Sequence, residues 1–288
     1  MSADEHDVPE FEGGEQGNRE SREVVDPLLR VVGKQIKRLR EAAGLTQQEF
    51  GDRIGYGVDQ VSAVERGRRA PKGPFIDGVE SVLNAGGVLK AIQEDIDRAR
   101  FPARFRDFAK WEQEAFSLYS YEPLVVPGLL QTERYARALI SGQCPPIDEE
   151  VVEELVAARM ERRGIFESHK AVVTAFVIEE SVLRRPVGGR ETMAEQCDWL
   201  LRMGALRNVS LQIMPTSQWR HHGIYGSITL LDTKDGRSVA YTESQEISAV
   251  ITDRLRVGVQ AQRHGIIRMQ ALDAERSARL IERLAGEL

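Results

Sequence analysis

Leu45-Thr46-Gln47-Gln48-Glu49-Phe50-Gly51 and, further on, Val61-Ser62-Ala63-Val64-Glu65-Arg66-Gly67 decide how the first third of the chain folds. Thr46 carries the hydroxyl of a helix N-cap. Glu49, three residues on, can reach back to the Thr46 amide, so the pair reads as a capping box opening a helix through Phe50 and Ile54. Gly55-Tyr56-Gly57 breaks that helix. Val58, Val61 and Val64 then recur every third residue along a second short helix, which Gly67 and Pro71 end. Two short helices across a glycine turn make a helix-turn-helix, whose second helix fits the major groove of DNA. Upstream, Leu28, Val32, Ile36, Leu39 and Ala43 stripe one helix that ends at Gly44. Downstream, Phe75/Ile76, Val79 and Val82/Leu83 predict a fourth helix, and Val88/Leu89, Ile92 and Ile96 a fifth after Gly86-Gly87. The expectation is a five-helix domain over residues 28–98.

Charge singles out the same segment. The chain has 288 residues and a net charge of −6, long enough for about two domains. Residues 1–27 hold nine acids and two bases, a net of −7, with almost no large apolar residues, which predicts a disordered acidic tail. Residues 28–72 hold ten bases and five acids, a net of +5. A basic module therefore sits inside an acidic protein, the balance expected of a nucleic-acid-binding segment rather than of a uniformly basic coat. No apolar run is long enough to span a bilayer, and the N-terminal residues lack the apolar core of a secretory signal. Cys144 and Cys197 are too few and too far apart for a disulfide framework or a metal knuckle. These readings predict a cytoplasmic protein without a membrane partner.

The helix-turn-helix residues resemble the XRE, or lambda-repressor/Cro-like, family. The resemblance implies that Gly57–Arg66 is a recognition helix for double-stranded DNA, with Val58, Asp59, Ser62 and Ala63 toward base edges. It places Gln47, Gln60, Arg66, Arg68 and Arg69 at phosphates, and pairs Arg40 with Glu65 as a structural ion pair between helices. The family often carries Arg, Lys or Gln where this chain has Val58 and Ala63, the side chains that make bidentate base contacts. Affinity per module should then rest on phosphates, which favours a homodimer on two half-sites.

Residues 99–288 predict a mixed α+β domain without regular βαβ alternation. Phe101, Phe105, Phe108, Trp111, Ala115 and Leu118 fall at helical spacing. Helices are expected near Thr132–Ile140, Glu149–Phe166, Gly189–Ala205, Ser248–His264 and Asp273–Ala285, and strands at Ala171–Ile178, Val209–Met214, Ile224–Leu231 and Val239–Thr242. Tyr121-Glu-Pro-Leu-Val-Val-Pro-Gly-Leu-Leu-Gln-Thr-Glu-Arg-Tyr-Ala, Arg159-Met-Glu-Arg-Arg, Leu183-Arg-Arg-Pro-Val-Gly-Gly and Val209-Ser-Leu-Gln-Ile-Met-Pro resemble the actinobacterial, antitoxin-like Scr/WhiJ-type regulators. That resemblance implies a transcriptional regulator, often paired with a small protein encoded by an adjacent gene. Glycine-containing turns rich in apolar residues suggest Leu129, Leu130, Trp219 and Tyr225 as the partner-binding residues.

Catalysis finds little support. No G-x-S-x-G, G-x-G-x-x-G or G-x-x-x-x-G-K-[ST] occurs, and His221-His222 has no neighbouring ligand at metal spacing. Glu179-Glu180 and Glu243 read as solvated strand ends. The sequence therefore predicts no enzyme, no cofactor and no metal. It leaves two other outcomes open: an antitoxin-like protein that neutralises a small cognate protein, or a small-molecule-sensing repressor. The acidic tail is a further candidate, as an internal competitor for the basic module.

Overall fold

A computed structural model describes residues 26–99, 103–166, 172–244 and 248–288, with no side-chain description for 98 and 103–107. The N-terminal acidic tail, apart from its last residues, and the aromatic at 101 lie outside the described residues.

The first unit is helical: α1 (Pro27–Ala42), α2 (Gln47–Ile54), α3 (Val58–Glu65), α4 (Gly73–Leu83), α5 (Val88–Ala91) and α6 (Gln93–Ala99). Asp26 caps α1, accepting from the Leu28 and Leu29 amides. The Thr46–Glu49 capping box forms at α2, and Gly55 ends that helix in the left-handed region at φ 77°. Leu29, Val32, Ile36, Phe50, Val61, Val64, Phe75, Ile76 and Val79 bury together at the centre. Six helices stand where the apolar spacing predicts five. Ile92 leaves helical geometry at φ −111°, while the Glu80 carboxylate accepts the Gly87, Leu89 and Lys90 amides and holds α5 as a separate turn.

The second unit is built on one sheet. Its strands are β1 (Ala115–Glu122), β2 (Val173–Glu179), β3 (Val209–Met214), β4 (Ile228–Thr233), β5 (Ser238–Glu243) and β6 (Ser248–Ile251) in the order β3-β2-β1-β4-β5-β6. β1, β2 and β3 run parallel, and β4 to β6 continue antiparallel from β1. The parallel half has helical crossovers: α8 (Glu133–Ser141) and α9 (Glu149–Glu161) before β2, then α10 (Glu180–Arg184) and α11 (Arg190–Gly204) before β3. Five consecutive residues of β2 are buried, as expected of a strand with helices on both faces. α11 and α13 (Ala274–Gly286) bury Leu118, Phe176, Ile178, Leu211, Ile213, Leu280 and Ile281 on one side. α12 (Arg254–Gln270) covers Val177, Leu230 and Ala240 on the other.

Two expectations need correction here. Ala115 and Leu118 belong to β1, not to the helix α7 (Ala103–Glu114) that precedes it. β1 takes backbone bonds from β2 and β4 at once, and its Phe, Tyr and Ser suit a pleated surface. Ser248–Ile251 is the edge strand β6, and Asp253, accepting from the Arg256 amide, starts α12 only at Arg254.

Candidate nucleic-acid interface

The second helix of the motif, α3, is fixed on α1 by backbone proximity and one buried charge. A Cβ at Gly33 of α1 would stand 2.4 Å from the Val64 carbonyl oxygen, so only glycine lets α1 and α3 approach this closely. Arg40 donates from Nε to Glu65 Oε1 at 2.5 Å and from Nη2 to Oε2 at 3.0 Å, and from Nη1 to the Leu45 carbonyl at 2.6 Å. Its pKa is raised, chiefly by the hydrogen bonds to Glu65. Gln47, expected at a phosphate, donates its amide to Glu65 Oε2 at 2.7 Å instead. The resulting Arg40–Glu65–Gln47 cluster ties α1, α2 and α3 together beneath the outer face of the motif.

That outer face is narrower than the sequence suggests. Val58, Asp59, Ser62 and Arg66 lie on one side of α3 at the spacing of successive turns, and each has exposed surface. Ala63, expected among the base readers, is buried at 5% exposure and is corrected to a core position. It lies about 100° round the helix from Ser62, and its carbonyl accepts the Arg68 and Arg69 amides. Gln60 is half-buried on the far side of α3 from Ser62, so its side chain does not share the outer stripe.

The loop after α3 carries the cations. Gly67, at φ 74°, packs against the Arg30 backbone and turns the chain so that Arg66, Arg68, Arg69 and Lys72 follow in quick succession. All four reach across to acids at the start of or along α9. Arg68 Nη2 stands 3.2 Å from Asp148 Oδ2, Arg69 Nε 2.6 Å from Glu154 Oε1, Lys72 Nζ 2.9 Å from Glu161 Oε1, and Arg66 Nη2 4.0 Å from Glu150 Oε1.

The four residues expected to meet a partner divide cleanly. Leu129 and Leu130 are buried at 3% and 0% exposure, which corrects their assignment to a contact surface. They pack with Val126 and Tyr135, and Gln196 locks the segment by donating to the Leu130 carbonyl while accepting the Thr132 amide. Trp219 and Tyr225 are each 82% exposed. Ile224, Leu255, Val259, Ile266 and Met269 are also exposed, the last four in a 4-7-3 spacing along α12 that the sequence reading did not isolate.

A second polar cluster lies at the carboxyl ends of β1, β2 and β5. Tyr121 donates to Glu179 Oε1 at 2.7 Å, and His221 Nε2 stands 3.7 Å from the same oxygen. Burial, reinforced by the Glu243 carboxylate, pushes the Glu122 carboxyl up to about 8, and burial also raises Glu179. The two acids and His221 are in protein contacts, and among the described residues no group of three or more His, Cys, Asp or Glu is arranged to hold a metal ion.

Residues 105–283 match the family described as a domain of unknown function, DUF5753, and residues 31–91 match a helix-turn-helix domain. The chain belongs to the DUF5753 family. Its helix-turn-helix match spans α1 to α5, so the DUF5753 region begins within α7 and contains the whole sheet. A curated relative, the uncharacterized HTH-type transcriptional regulator y4dJ of Sinorhizobium fredii, is 43% identical over 44 residues, 15% of this chain. The match covers 57% of that relative's length. No solved structure matches this DUF5753 protein. Among its described residues no helix is long and apolar enough to cross a membrane.

Proposed function

We propose that the protein is a DNA-binding transcriptional regulator whose helix-turn-helix domain reads double-stranded DNA and whose DUF5753 domain controls that binding through a small partner protein. One observation carries the reading: Val58, Asp59, Ser62 and Arg66 form an accessible stripe on α3, with Arg68, Arg69 and Lys72 following at once. Asp59 suits acceptance from cytosine N4, Val58 suits a thymine methyl, and the cations suit phosphates. So sparse a set of base contacts supports binding as a pair of copies on two half-sites. In the DUF5753 domain, Trp219, Ile224, Tyr225 and the α12 stripe favour a protein partner, because they leave large apolar side chains exposed to solvent. The same surface suits the antitoxin-like reading, in which that partner is a small protein to be neutralised.

Binding of full-length protein to labelled duplex DNA across a salt series tests the reading. Arg68→Ala with Arg69→Ala should weaken binding to every sequence and lower the slope of log affinity against log salt by about two. An unchanged slope would remove both arginines from the DNA surface.

A further inference from the structure

The cations that the DNA-binding reading needs at phosphates are already held by carboxylates of the same chain. Arg66, Arg68, Arg69 and Lys72 meet Glu150, Asp148, Glu154 and Glu161, and each pair joins the helix-turn-helix unit to the sheet unit. Glu150, Glu154 and Glu161 are spaced by four and seven residues, so they form one acidic edge of α9. We propose that this edge is an internal competitor of DNA: the chain closes with α9 on the cationic loop and opens when phosphates take its place. The inference rests on the DNA-binding reading above and names how that site is regulated.

Carboxylate and phosphate compete for the same cations, and each repels the other. A carboxylate 2.6–3.2 Å from a guanidinium or ammonium takes the hydrogen-bonding edge that a phosphate oxygen would use. Covalent linkage keeps α9 at high effective concentration without any external ligand. The pairs also suit a reversible contact. Their side chains remain partly exposed, from 15% at Glu154 to 50% at Arg66, so each pair is weak alone and screened by salt. α9 does not itself peel away, because Val152 and Val156 bury against Ile140 of α8. Opening therefore separates the two units at the ion pairs. Any partner that binds the open form better raises DNA affinity, and DNA raises affinity for that partner by the same factor. A basic protein surface that captures the α9 carboxylates has that property.

The test compares full-length wild type with Glu150→Gln/Glu154→Gln/Glu161→Gln. A second triple variant, Glu191→Gln/Glu275→Gln/Glu282→Gln, makes the same change in net charge on α11 and α13, away from that edge. Fluorescence anisotropy with a labelled mixed-sequence duplex of about 30 base pairs, long enough for several phosphate contacts, reads affinity over a salt series. If about a tenth of the wild type is open at low salt, the α9 variant should bind about tenfold more tightly than the control variant. The gain should fade as salt dissolves the closed form, and Glu154→Gln alone should show a smaller gain in the same direction. Equal affinities for the two triple variants would overturn the competitor role while leaving DNA binding intact. If none of the proteins binds the duplex at the lowest salt, the DNA-binding reading fails, and the competitor fails with it.

Discussion

Glu65 accepts from Arg40 Nε, Arg40 Nη2 and Gln47 Nε2 inside the helical core, so its charge has three donors and almost no water. Removing one partner of such a pair leaves the other buried and uncompensated. Arg40→Ala should cost about 3–5 kcal/mol in denaturant unfolding of the helical unit, and Gln47→Ala distinctly less. A loss below about 1 kcal/mol for Arg40→Ala would show that water solvates Glu65 in the folded state. His264 gives a pH-dependent counterpart. Burial, with the Arg268 charge second, lowers its pKa to about 4 from 6.5, so the folded state holds it neutral. Its stabilisation is complete above about 6.5 and is lost as pH falls toward about 4, a swing of ~3 kcal/mol that His264→Leu should remove from the pH profile of thermal unfolding. An identical acid limb in the variant would assign that limb to other groups. The Arg40–Glu65 pair was legible through the resemblance to lambda-repressor-like domains, which sets an arginine late in the first helix against the acid before the glycine that ends the recognition helix. Ala63 was not, because an alanine next to Ser62 suits a groove or a core equally well, and only the packing of α3 decides between them.

At the scale of elements, the capping box, the glycine stops and the apolar spacing of α1, α2, α3 and α11 were readable because each is a local signal. β1 was hidden. Trp111, Ala115 and Leu118 fit a helix by spacing, and only hydrogen bonds from β2 and β4, distant in sequence, select the strand. β6 was hidden for the same reason, since Ser248–Ile251 has one neighbouring strand, β5. Two predictions belong here. Asp59→Ala should relax preference at one base pair by ~1–3 kcal/mol and leave non-specific affinity nearly unchanged, as measured by competition between point-substituted duplexes. A variant with the wild-type ranking of duplexes would exclude Asp59 from base reading. On α12, Leu255→Ser with Met269→Ser should change stability by less than about 0.5 kcal/mol, because both side chains are more than 80% exposed. A larger loss in thermal unfolding would mean that this stripe is covered within the chain.

For the whole molecule, charge is distributed by unit: a basic segment over residues 28–72 within an acidic chain. That distribution was visible from the sequence, as was the division between a helical and a mixed unit. What was not visible was that α9, expected only as a helix near Glu149–Phe166, lies against the very loop whose arginines resemble phosphate contacts. Contacts between units depend on three-dimensional placement and leave no periodicity in the chain. Sequence-specific DNA binding through α3 is decided by in vitro selection of a randomised duplex library with the full-length protein. One motif should be enriched, with half-sites about one helical turn apart, and the motif should change when Asp59 and Ser62 are replaced by alanine. A library that stays unenriched, or a motif that both substitutions leave intact, would contradict it.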